Sequence, residues 1–95
     1  MSAVNYSEVI AKLIEEGLSR SVAEHTAAQL RCQVFDADRH RSILAGLLHE
    51  KTRRKGVSLA GRYCLQLAME LGVPVLTTDK IWASLDLDVE VVLIR

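Results

Sequence analysis

Cysteine, proline and aromatic residues are all scarce in this sequence, which has two Cys, one Pro, one Trp, two Tyr and one Phe among 95 residues. Cys32 and Cys64 lie far apart in apolar surroundings with no Cys-x-x-Cys spacing, which argues against a disulfide or a zinc site. Two buried free thiols in a reducing compartment are the expectation. With so few aromatics, the core must be built from Leu, Val, Ile and Ala. The formal net charge is zero, so no overall field draws nucleic acid, although a local basic patch is compatible with that balance. No apolar run approaches the ~20 residues of a membrane span. Polar Asn5, Tyr6 and Ser7 follow the start at once, unlike a signal peptide. A soluble, cytoplasmic protein without a membrane partner is expected.

The remaining composition is globular: 49% hydrophobic and 25% charged, enough for one domain spanning 1–95. Ser2-Ala3-Val4 reads as the tail of a strand. Asn5 and Glu8 form a capping-box pair opening a helix, whose stripe is Val9, Ile10, Leu13 and Ile14 and whose stop is Gly17. Ser19 or Ser21 caps a second helix with Val22, Ala23, Ala27 and Leu30 inward. Gln33-Val34-Phe35 is a short strand. Asp36 or Asp38 then starts a third helix with Ile43, Leu44, Leu47 and Leu48 inward. That helix runs into the basic cluster Lys51, Arg53, Arg54 and Lys55, which complements a helix C-terminus. Ser58 caps a fourth helix, apolar nearly all round, and Gly72 ends it. Val73–Leu76 and Val91–Ile94 are strands. Continuous apolar strands alternating with helices predict an α/β fold with a parallel sheet flanked by helices.

Within that pattern Asp79 is the leading functional candidate. Leu76-Thr77-Thr78-Asp79 delivers a carboxylate just beyond the carboxyl end of a strand, where α/β sheets place their chemistry. Its structural alternative is an N-cap, stabilising by ~1 kcal/mol. A crossover helix runs antiparallel to the strand it feeds, so the first turn of the Ser58 helix belongs at the same sheet edge as Asp79. If Ser2–Val4 ends a strand of that sheet, Glu8 emerges there too. Two carboxylates at one crevice would suit Mg²⁺ or Mn²⁺ and metal-assisted phosphodiester hydrolysis. Glu8 also has a plain role as the capping-box partner.

Other constellations are weaker. His40 and His49 are nine residues apart and, at about 100° per residue, point to opposite sides of one helix. His25 reads as a surface residue, and Met69 and Trp82 as core. There is no phosphate-binding glycine loop and no Gly-x-Ser-x-Gly elbow.

Taken in order, Ser2–Val9, Val34-Phe35-Asp36, Gly56–Leu65, Leu76–Trp82 and Leu85–Ile94 resemble the later part of a PIN domain, the fold of the VapC-type toxin ribonucleases of toxin–antitoxin systems. The resemblance covers the whole chain as a partial PIN-like domain. It implies a Mg²⁺- or Mn²⁺-dependent endoribonuclease ancestry, with Glu8 and Asp79 as metal-binding acids and Thr77 as the hydroxyl beside Asp79. RNA and an antitoxin-like protein are the partners it implies. Arg53, Arg54, Lys55 and Lys80 are the candidate phosphate contacts, since phosphate binding needs only well-placed cations.

Two departures accompany the resemblance. The family carries an acid in the first turn of the helix that here begins at Ser58, and this chain has Gly61 there. The family also begins with a strand bearing its first acid, and here the pattern starts at Met1 without it, as in an N-terminally truncated domain. A site reduced to Glu8 and Asp79 loses most of the charge that holds a hard dication. Weak or absent nuclease activity is therefore expected of the chain alone. The alternatives are an active enzyme completed by a partner chain and a non-catalytic interaction module. Unpaired strand edges recruit other chains, so a homo-oligomer is also expected.

Overall fold

Ser2 sets the first unit of the chain by doing two things at once. A computed structural model describes residues 1–94 and divides the chain into two units, Met1–Ala37 and Asp38–Arg95. In the first, Ser2 pairs in parallel with Phe35: Phe35 N donates to the Met1 carbonyl and Ala3 N to that of Phe35, both at 2.8 Å. The Ser2 hydroxyl accepts from Val4 N at 3.2 Å and caps α1, Ala3–Glu15. The expected strands Ser2–Val4 and Gln33–Phe35 are thus reduced to one bridge. The helix begins ahead of Asn5, and Glu8 is an exposed residue inside α1 instead of a capping-box partner.

Gly17, at φ 100°, turns the chain after α1, and Ser19 caps α2, Arg20–Ala28, accepting from Val22 N at 3.3 Å. The two helices pack together, with Ala23 and Ala27 buried. Small side chains allow close backbone approach. The larger Val22 and Leu30, expected inward, are exposed, and so is Cys32, correcting its reading as a buried thiol.

In the second unit Asp38 caps α3, Arg39–Leu47, through Oδ1 to Arg41 N at 2.9 Å. After Leu48 come α4, His49–Thr52, and a 3₁₀ turn, Arg53–Lys55. Ser58 caps α5, Leu59–Leu71, and Gly72 in the left-handed conformation ends it. Strands β1, Val75–Thr77, and β2, Val91–Leu93, pair in parallel with Val75 opposite Val91. Between them lies a 3₁₀ helix, Lys80–Ser84. Helices and a parallel strand pair make this an α/β chain, and among the described residues no helix is long and apolar enough to cross a membrane.

The core of this unit joins Val57, Leu65, Ala68 and Val75, with Leu48, Trp82, Leu85, Leu87, Val89 and Val91 packed against it. Leu65 is wholly buried. Of the residues expected inward on α3, only Leu48, at its end, packs against the core. Ala45 is buried, whereas Ile43, Leu44 and Leu47 are 51%, 38% and 58% exposed. Polar contacts join α3 to α5 instead: Tyr63 Oη donates to Ser42 Oγ at 2.7 Å, and Arg41 forms a two-pronged pair with Glu70. Met69, expected in the core, is partly exposed on α5.

Candidate carboxylate site

Asp79 stands just past the carboxyl end of β1, as the strand–Thr–Thr–Asp pattern implies. The Thr77 hydroxyl, half-buried at the strand end, accepts a hydrogen bond from Asp79 N at 3.0 Å. Asp79 Oδ1 in turn accepts from Ile81 N at 3.0 Å and caps the 3₁₀ helix. The capping role is therefore realised. A carboxylate has two oxygens and about four acceptor sites, so one cap bond does not exhaust an exposed side chain.

Trp82, one turn further on, lies against the first turn of α5. A Cβ built on Gly61 would stand 3.0 Å from Trp82 Cζ2, 2.9 Å from Val57 Cγ1 and 3.3 Å from Ser58 Oγ. Real Cβ atoms essentially never come as close as the valine would be, and contacts as tight as that to the indole are uncommon. Ser58 Oγ also accepts from Gly61 N at 3.0 Å. The space beside residue 61 is consequently filled by an indole and a valine, a packing role for glycine that the sequence did not reveal.

Glu8 is exposed on α1 in the first unit, while Asp79 and Thr77 belong to the second. Among the described residues no group of three or more His, Cys, Asp or Glu side chains is placed to hold a metal ion. A hard dication takes at least six oxygen ligands and relies on anionic ones for affinity. Toward such an ion the second unit supplies the Asp79 carboxylate and the Thr77 hydroxyl.

Arg53, Arg54 and Lys55 are exposed on their 3₁₀ turn, and Lys80 is exposed directly after Asp79. Arg62 was missed by the sequence reading. It is half-buried on α5, with Nη1 3.1 Å from His49 Nδ1, and its Nε is buried without a hydrogen-bond partner among the described residues. Only its adjacency to Gly61 hinted at this position. Cys64, half-buried on the same helix, has its thiol pKa raised by burial, which keeps it protonated and a poor nucleophile.

Comparison with known proteins gives no match to a protein-family model, to a curated protein or to a solved structure.

Proposed function

We propose that this chain is a PIN-like protein, related to the metal-dependent endoribonuclease toxins, with weak or no ribonuclease activity of its own. The observation that carries the reading is Gly61. An acid at that position would have to displace Trp82 or Val57, so the local packing favours a form that has given up a metal-binding carboxylate. Phosphodiester hydrolysis by this route needs an ion that activates water and neutralises the leaving oxygen, and each carboxylate lost from its site weakens the hold on that ion. Asp79 with Thr77 is what the second unit offers toward that arrangement, and Glu8 is the acid offered by the first. Where RNA is bound, its phosphates fall to Arg53, Arg54, Lys55 and Lys80.

Titration calorimetry with Mn²⁺ beside an RNA cleavage assay tests this directly. The expected result is neither tight Mn²⁺ binding nor metal-dependent cleavage. Cleavage that requires Mn²⁺ and disappears in Asp79→Asn would overturn it.

A second reading, an enzyme completed by a partner chain, is favoured by the exposure of Asp79 at the strand end. The partner here would be a second copy or an antitoxin-like protein that contributes the missing acids. Under this reading, activity absent at low concentration appears steeply as concentration rises or as a partner is added. Cleavage proportional to chain concentration from the outset contradicts it.

A further inference from the structure

The second unit carries a furrow of about 790 Å³ between α3 and α5, closed on a third side by Leu87 and Asp88. Its floor is apolar: Leu44 and Leu47 from α3, Met69 from α5, and Leu87. Three of these are among the exposed large hydrophobics, with Leu47 58% exposed, so the furrow is open along its length. The rim is charged and not balanced. Arg41 and Glu70 neutralise each other at 2.9 Å. That leaves Asp38, Glu50 and Asp88 against Lys51, with His40 as the remaining titratable group.

From this geometry we infer that the furrow is a docking site for a cationic amphipathic helix of a partner protein. Shape and chemistry each narrow the occupant. Both long walls are helices, whose main-chain donors and acceptors are used internally, so an added strand would find nothing to pair with. Leu44 and Leu47 lie one turn apart on α3 and offer the spacing that an incoming helix fills with anchors at i, i+3 or i+4, and i+7. The α3 wall, Arg39–Leu47, is about 13 Å long, which matches two to three turns of a helical partner. A small apolar ligand would leave much of so open a trench wet, whereas small-molecule sites bury most of their ligand. The excess of acids on the rim selects Lys or Arg at the flanks of the incoming apolar stripe and disfavours acidic helices. The furrow involves neither Asp79, Thr77 nor Gly61, so this inference stands apart from the ribonuclease reading.

Fluorescence anisotropy with the full chain and two labelled peptides tests it. Both peptides are helical, about 14 residues long, with Leu at i, i+3 or i+4, and i+7; one has Lys flanks and the other Glu flanks. The Lys-flanked peptide is expected to bind at least about tenfold more tightly at low salt, with the gap narrowing as salt screens the rim. Leu47→Glu, at an exposed position, should weaken the Lys-flanked peptide by about tenfold or more. The pair Glu50→Lys and Asp88→Lys should reverse the preference without touching the floor. Equal affinity for both peptides, no binding of either, or indifference to Leu47→Glu and to the charge reversal would each overturn the proposal. So would uptake of an apolar dye that Leu47→Glu abolishes while neither peptide binds, an outcome that marks a small-molecule pocket instead.

Discussion

Trp82 Cζ2 lies 3.0 Å and Val57 Cγ1 2.9 Å from where a Cβ on Gly61 would stand, so any side chain at residue 61 forces the valine or the indole to shift. Two effects oppose each other in Gly61→Ala. Helix propensity favours Ala by up to ~1 kcal/mol, and less in a first turn. Overpacking against a short buried valine and a ring costs ~1–3 kcal/mol. The clash is expected to win, and Gly61→Asp should destabilise further because its carboxylate enters a half-closed apolar contact. Urea unfolding measures both, and trimming the ring with Trp82→Leu should recover most of the Gly61→Ala loss. A Gly61→Asp chain as stable as the parent would remove the packing account of this glycine.

Asp79 separates into a capping role and a chemical role through its two conservative replacements. Asn caps as well as Asp, so Asp79→Asn should leave stability within a few tenths of a kcal/mol. Asp79→Ala removes the acceptor of Ile81 N–H and should cost ~1 kcal/mol. Thermal unfolding of the two variants gives the comparison. An equal loss in both would show that charge, not hydrogen bonding, holds this turn.

The Arg41–Glu70 pair predicts a pH dependence with a definite sign. Hydrogen bonds from Arg41 first, then from Gln66, lower the Glu70 pKa from its ordinary 4.5 to about 2. A depressed carboxylate stabilises the folded state above its unfolded pKa and loses that contribution as pH falls through the folded one. The loss should therefore run from about pH 4.5 down to about 2. Both partners are partly exposed, so the effect is modest and weakened by salt. Acid titrations of stability for the parent and Glu70→Gln should converge across that window. Curves that stay parallel would deny the pair any role.

Those polar ties explain why some of the chain was legible and some was not. Ser19, Asp38 and Ser58 cap helices, and Gly17 and Gly72 end them, because capping is settled within a few residues of sequence. The strand pair also came through, shifted slightly to Val75–Thr77 and Val91–Leu93. Ser2 misled because one extended residue serves as both bridge and cap, which drew the start of α1 forward and stranded Glu8 inside the helix. Gly61 was only half explicable from its neighbours, since Val57 is four residues away but the other group that crowds it, Trp82, lies beyond α5 and β1. The placement of Asp79 and Thr77 at the strand end was legible because the strand end, the hydroxyl and the acid are adjacent in sequence.

The inner face of α3 gives the sharpest test of where hydrophobicity alone misplaces a helix. Apolar count puts Ile43, Leu44 and Leu47 inside, yet the line that meets α5 runs through Arg41, Ser42 and Ala45. Burial decides the energetics, so Leu47→Ala should cost at most ~0.5 kcal/mol, as surface substitutions do. Ala45→Leu inserts three heavy atoms where no surface is exposed and should cost ~1–3 kcal/mol. Denaturant midpoints for these two single variants, one shrinking a large residue and the other enlarging a small one, rank the faces directly. If Leu47→Ala proves the more damaging, α3 is rotated from the orientation described here and the furrow beside it closes.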